Sequence, residues 1–361
     1  MVQKSVLTKE IKQKADWDET IDLFQKKDIY FTYDYMQPFQ KNGDGEPVMF
    51  YFESYLGKVA YPFMYRDIAE CAHLKGKIPE QTFFDISGVY GYGGPLVELN
   101  PLYESREMAE LLKTEFQESF SAYCKEKGII SQFDRFHPLL NTHEFFDDYC
   151  TVTPNKKTIC LDLQSVEFLT QNLTSGCRNK IRQAEKNGVT VIVNDRIETL
   201  EEFKQMYHST MKHNQATDYY FFNPQFFDDI KNHQSEHLIL ANAYYQGEII
   251  ASALILSFDH FLHHHFSGSI SEYRHLKPNN LLFYEIAKWG SEHGYESFHL
   301  GGGHESEGDS LFRFKKSFSK SEPKDFYIGK KLHDPVKSDF LAQLIHKSST
   351  EPSDYFPLYR S

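Results

Sequence analysis

One run of elements occurs twice in this chain, and that repetition limits the folds open to it. In the first half, MFYFESYLGKVAYPFMY (residues 49–65) holds two β-rich runs around a short turn at Gly57. In the second half, LILANAYYQGEIIASALILSF (238–258) does the same around Gly247. Aromatic and β-branched runs about a short polar turn read as hairpins. Each half then carries an amphipathic helix, a glycine and a strand. The first stripe is Leu112, Phe116, Phe120 and Tyr123, stopped by Gly128, with a strand over 129–133. The second is Leu282, Ile286 and Trp289, stopped by Gly294, with a strand over 296–300. Steps of three and four put each stripe on one helix face, and a glycine just beyond suits a left-handed C-terminal cap. A supersecondary unit repeated in order predicts a duplicated α/β domain. The boundary falls where TVTPNKKTICLDLQ (151–164) changes character. The expected division is 1–155, 156–330 and a C-terminal appendage, 331–361.

The chain has 361 residues, enough for two cores, and 31 Phe with 23 Tyr make those cores aromatic. A formal charge of −12 argues against a DNA partner or a general nucleic-acid binder, while leaving room for a local basic patch. Cys71, Cys124, Cys150, Cys160 and Cys177 are odd in number and lack CxxC spacing, so free thiols in a reducing compartment are expected. The N-terminus has no signal-like apolar core, and no apolar run is long enough to be a transmembrane segment. A soluble, cytoplasmic protein is expected.

The chemistry-bearing residues gather between Tyr273 and Phe318. A polar loop ends at Pro278, which fits the first turn of a helix. The N–H groups there, Asn279 and Asn280 among them, can receive an anion. Past the helix come Gly301-Gly302-Gly303, an acidic loop, and Phe312-Arg313-Phe314-Lys315-Lys316. A cation at Lys315 or Lys316 would stabilise an oxyanion or hold a phosphate, or else form a solvated edge. His304, Glu305 and Asp309 beside the glycines are candidate proton acceptors, or simply a polar loop. In the first half, Tyr90-Gly91-Tyr92-Gly93-Gly94-Pro95 follows the apolar run 82–89. Its glycines permit close approach to a ligand, and Tyr90 and Tyr92 offer flat faces with hydroxyl tips. A long turn is the alternative. Arg178, Lys180, Arg182 and Lys186 give a basic helix. Arg178 and Arg182 share a face and suit either a phosphate clamp or a solvated surface. His263, His264 and His265 lie in a strand, where alternation puts the outer two on one face. No matching carboxylate or cysteine spacing accompanies them, so no metal centre is expected.

RNKIRQAEKNGV (178–189), YRHLKPNNLLFYEIAKWGSEHGYESFHLGG (273–302), LFRFKKSF (311–318) and the YGYGGP loop together resemble the Fem-type aminoacyltransferases and their acetyltransferase-like relatives. The likeness covers most of residues 25–330. It implies an α/β (mixed α+β) chain of two tandem GNAT-like domains, each a mixed sheet flanked by helices. It implies transfer of an aminoacyl or acyl group onto an amine of a peptidoglycan-type envelope precursor. Aminoacyl-tRNA or acyl-CoA would then be the co-substrate, with the precursor nucleotide- or lipid-linked. The family's Phe-Lys matches Phe314 and Lys315, which implies that Lys315 assists the donor carbonyl or phosphate. The acceptor's phosphates fall to an arginine of the 178–182 helix. Two features depart from the pattern. No inserted helical hairpin is evident. The place of the usual acetyl-CoA loop reads Arg274-His275-Leu276-Lys277-Pro278-Asn279, without its glycine. Relatives of this shape also suit acyl-CoA-dependent N-acylation of an amino sugar in surface-polysaccharide synthesis. A non-catalytic ligand-binding protein on the same fold is the reading from another class.

Overall fold

The computed structural model describes residues 6–303, 308–346 and 355–361. Two compact units divide the chain: residues 1–155 with 326–361, and residues 156–325.

The first unit opens with β1 (Leu7–Ile11), α1 (Lys14–Asp22) and α2 (Tyr33–Lys41). The hairpin follows as β2 (Glu46–Ser54) and β3 (Gly57–Asp67), with Ser54 opposite Gly57. β4 (Phe84–Ser87), β5 (Leu96–Leu99), α3 (Arg106–Glu126) and β6 (Ile129–Arg135) complete its first pass. The α3 stripe works as its spacing requires. Leu112, Phe116 and Phe120 are buried against Phe50, Phe52 and Tyr61 of the hairpin. Ser105 caps the start of α3 by accepting from Met108 N–H, and Gly128 ends it at φ +67°.

The second unit contains β7 (Thr151–Asp162), α4 (Val166–Asn172), α5 (Ser175–Lys186) and β8 (Thr190–Asn194). Next come α6 (Glu201–His213), α7 (Pro224–His233) and the hairpin β9 (Leu238–Tyr245) and β10 (Glu248–Phe258). Gln246 and Gly247 turn that hairpin, both at positive φ, as a two-residue turn between twisted strands requires. β11 (Phe261–Ser269), α8 (Pro278–Glu292), β12 (Ser297–Gly302) and α9 (Ser310–Lys316) follow. Leu282 and Ile286 of α8 are fully buried, and Trp289 packs at the margin of the same core.

The chain then returns to the first unit with β13 (Lys324–Leu332) and α10 (Pro335–Leu344). Residues 331–361, expected as an appendage, are therefore part of that unit. β13 pairs antiparallel with β6, and Leu341 and Tyr359 are buried beside Ile68 and Ile130. The sequence hid this because the whole second unit separates β13 from β6, the strand it pairs with.

The duplication is visible in the strand orders. In the first unit the sheet runs β1-β2-β3-β4-β6-β13, with β5 paired to β3. In the second it runs β8-β9-β10-β11-β12-β7. In both, a single parallel pair, β4 with β6 and β11 with β12, sits among antiparallel neighbours. Each parallel pair is joined by the long stripe-bearing helix, as a parallel crossover demands. This is a mixed α/β architecture in which one strand-and-helix plan is used twice.

Candidate active site

The two parallel pairs differ in how they end. In the second unit, β11 and β12 pair only from Phe261 opposite Ser297 to His263 opposite His299. β12 shifts register against β7 between His299 and Gly301, and Gly301 takes φ +72°. β11 shifts register against β10, where Leu254 faces Phe266 and Ile255 faces His264. His265 is thus an extra, bulged residue. The strict alternation expected for His263–His265 is broken there, because a bulge inserts one residue without a partner. Both strands bend where their pairing stops, and His264 and Leu300 lie just beyond the last paired residues, joined by a hydrogen bond from the imidazole to the Leu300 backbone.

In the first unit the corresponding place is closed. Gly88 N–H donates to Phe133 O at 2.9 Å, and Gly93 N–H to Arg135 O at 2.7 Å. Thr142 Oγ1 donates to Gly93 O at 2.5 Å, and His137 N–H to the same carbonyl at 3.0 Å. The Tyr90–Pro95 loop is the material of this seam. Tyr90 stacks on Phe39, and its carbonyl accepts from Tyr35 OH at 2.7 Å. Tyr92 packs edge-on against Tyr30 and Phe326, and burial pushes its phenol up.

Lys315 lies in the second unit, 6 % exposed, on α9. Asp309 caps that helix by accepting from Phe312 N–H at 2.7 Å. Lys315 Nζ donates to Gly302 O at 2.8 Å, at the end of β12. Burial lowers its pKa to about 8, and the Asp309 carboxylate opposes that fall. His264 is the residue that sequence reasoning missed here. Its Nε2 lies 3.0 Å from Ser267 Oγ, and its ring packs on Phe283. Desolvation, the Lys315 charge and His265 hold it well below the ordinary histidine value, against a hydrogen bond to the Leu300 backbone. It is neutral at pH 7. Burial and His263 likewise bring His265 down to about 3. Nothing in a run of three histidines marks the middle one; the bulge assigns it. Phe314 packs edge-on against Phe283 and Phe318, which fixes α9 to α8.

The other expected residues fall as follows. Arg178 Nη1 donates to Leu173 O at 2.6 Å and Thr170 O at 3.3 Å, so this guanidinium serves the end of α4. Arg182 is exposed on α5. Lys316 Nζ donates to Ser319 O and Ser321 O at 3.0 and 2.8 Å, tying down the turn after α9. Asn280 is buried, its N–H bonded to Lys277 O at 3.1 Å and its amide 3.8 Å from Cys177 Sγ. Asn279 Nδ2 lies 3.4 Å from Ser269 Oγ. The segment before Pro278 is a short 3-10 helix, Ser271–Leu276, rather than an open loop. Lys277 follows it in the left-handed region at φ +60°, the conformation a glycine would adopt more easily. His304 and Glu305 lie outside the described residues. Lys315, Phe314, Asp309 and Asn280 therefore belong to the second unit, and Tyr90 and Tyr92 to the first.

The arrangement puts a desolvated cation and a neutral imidazole at the parting of two parallel strands. A carbonyl entering there would meet a fixed positive charge, the requirement for stabilising a tetrahedral oxyanion.

Residues 172–316 match the acetyltransferase (GNAT) domain family. No curated protein matches the chain. Among solved structures, the fold is similar to that of FemX, with TM-score 0.60 at 13% identity, covering 90% of this chain and 96% of that one. The C-terminal domain of a putative lysylphosphatidylglycerol synthetase from Agrobacterium fabrum gives TM-score 0.52 at 15% identity, covering 88% and 92%. A tandem GNAT protein from the clavulanic acid biosynthesis pathway gives 0.50 at 8% identity, covering 91% and 100%.

Proposed function

We propose that a chain with this tandem fold and a GNAT domain over 172–316 transfers an acyl group to an amine, at the place where the pairing of β11 with β12 stops in its second unit. The observation that carries the reading is Lys315, buried beside the end of β12 with its ammonium on Gly302 O. The amine attacks the donor carbonyl carbon, forming C–N. The ester C–O or thioester C–S bond then breaks, and the amine's proton passes to the leaving alcohol or thiol. Lys315, as the ammonium, stabilises the oxyanion between these steps. Asp309, whose charge acts on Lys315, is the proton acceptor among the described candidates. Binding supplies most of the remaining acceleration by orientation, because the donor is already activated.

Aminoacyl-tRNA is the donor this reading prefers. Lys277 occupies the left-handed position where a backbone cradle for the CoA pyrophosphate would want glycine. The acceptor is an amine on a peptidoglycan-type envelope precursor, with exposed Arg182 as the arginine available to its phosphates. The likeness in fold to FemX and to the domain of a putative lysylphosphatidylglycerol synthetase supports this reading. We place the reaction in the cytoplasm, where an aminoacyl-tRNA donor is present; among the described residues no helix is long and apolar enough to cross a membrane.

The test is the mass of candidate nucleotide- and lipid-linked precursors after incubation with aminoacyl-tRNA and acyl-CoA pools. A mass gain that needs Lys315 and aminoacyl-tRNA is the expected result. An unchanged mass with both donor pools overturns acyl transfer. Use of tRNA also predicts binding that weakens steeply with salt, because phosphate neutralisation releases counterions.

A second reading rests on the domain match itself, which is to an acetyltransferase. Here the donor is acyl-CoA and the acceptor an amino sugar of a surface polysaccharide. Calorimetric titration with CoA esters separates the two. Heat of binding from a CoA ester, and none from aminoacyl-tRNA, selects this version.

A further inference from the structure

We propose that one end of the second unit is a docking face for an anionic lipid bilayer, built from Tyr219, Tyr220 and Phe221 with Lys212, His213 and Arg274. The three aromatic residues are consecutive, and their exposures are 43%, 37% and 39%. Their support is rigid. Phe222, the next residue, is buried and stacks on Phe226 at 4.1 Å, and also meets Phe266 of β11. Tyr207 of α6 donates its hydroxyl to Tyr220 O at 2.9 Å. The loop is thus held at its backbone, and its rings are part packed, Tyr219 on Phe222 and Phe221 near His208, and part open to solvent. Such rings, with an apolar body and, in tyrosine, a polar tip, are favoured at the boundary between water and acyl chains.

Charge selects the occupant. Lys212 and His213, both exposed, close α6, and Asn214 to Asp218 lead from there to the aromatic loop. Arg274, also exposed, brings Nη1 to 3.3 Å from His213 Nε2 and so joins the same end of the unit. Lys277 follows three residues later. Asp218 and Glu272 are the acidic groups on these segments. Lys212, Arg274 and Lys277 outnumber Asp218 and Glu272 on these segments, in a chain whose formal charge is −12. Aromatic rings beside lysine and arginine match a surface that is apolar inside and anionic outside. With no spanning helix among the described residues, the attachment is peripheral. The inference does not depend on the acyl-transfer reading. Arg274 and Lys277 precede α8 in the connection from β11 to β12, so docking would bring the proposed site toward lipid-borne acceptors.

The test is sedimentation of the full chain with vesicles of phosphatidylcholine, alone or with phosphatidylglycerol added. Binding to the anionic vesicles, falling with salt, is the expected result. Tyr219→Ser with Phe221→Ser, and separately Lys212→Glu with Arg274→Glu, should each lower that binding by about tenfold or more while melting as the parent does. As a second measurement, Tyr219→Trp should show an added blue-shifted emission on meeting anionic vesicles. Equal binding to neutral vesicles, no blue shift, or full binding by either double variant overturns the proposal. So does a concentration-dependent dimer, or single-stranded RNA binding in place of vesicle binding, that the same variants abolish.

Discussion

Lys315 carries opposite consequences for stability and for rate. Its pKa in the folded chain is about 8, below the ordinary 10.5. Between those values the unfolded chain binds the proton more, so folding stability rises with pH across that window. Below it, the buried ammonium costs on the order of 3 kcal/mol. Lys315→Met should therefore be at least as stable as the parent at pH 7 in urea titrations, yet lose about a hundredfold or more in turnover. If Lys315 acts as a cation, the parent's rate also falls as pH rises through about 8; a rate that climbs there would make it a base instead. Asp134 gives a different signature in the first unit. It is fully buried, accepts from Tyr61 OH at 2.5 Å and Gln132 Nε2 at 2.7 Å, and desolvation raises it to about 6. The folded chain binds its proton more between about 4 and 6, so stability falls as pH rises through that interval, by on the order of 3 kcal/mol. Calorimetric melts of Asp134→Asn should lack that decline, and an unchanged decline would place its source elsewhere.

At the level of elements, the pairing of β11 with β12 stops at His263, whereas that of β4 with β6 is continued by the glycine loop of the first unit. Gly94 sits at φ +96°, and a Cβ there would lie 2.6 Å from Thr142 Oγ1 and 2.9 Å from Phe136. Gly94→Ala should lower the unfolding free energy by about 2 kcal/mol or more, measured by chemical denaturation. The duplication was readable because hairpin turns, apolar stripes and helix-stopping glycines are local signals. Gly128 and Gly294, at φ +67° and +83°, fall where the stripes end. Lys315 was singled out by its place after Phe314, whereas its burial was not legible, since a basic run ordinarily marks a solvated edge. Arg178 misled for the converse reason. Its spacing from Arg182 suited a clamp, but its reach to Leu173 O depends on how α4 and α5 meet. His264 and the closing of the Tyr90 loop both depend on strand register, which a single sequence does not display.

Across the whole molecule, the last residues hold a buried charge in place. Asp85 is completely buried and bonded by Arg66 Nε at 2.7 Å, Arg360 Nε at 2.5 Å and Tyr359 OH at 3.0 Å. Although burial alone would raise it, Arg66 and Arg360 hold its carboxyl below the usual value. The stability it contributes is present above the ordinary carboxylate pKa and is lost as pH falls through the lowered one. Arg360→Ala should cost about 3 kcal/mol near neutral pH, read from urea midpoints, because it leaves part of a buried ion cluster uncompensated. An unaffected midpoint would show that Arg66 suffices. Residues 326–361 complete the unit that residues 1–155 begin, while 156–325 form one continuous stretch between them. That threading orders events on the ribosome. The second unit has all of its residues outside the exit tunnel before the first has received β13, so the middle of the chain can reach its native state while the beginning still waits for the end.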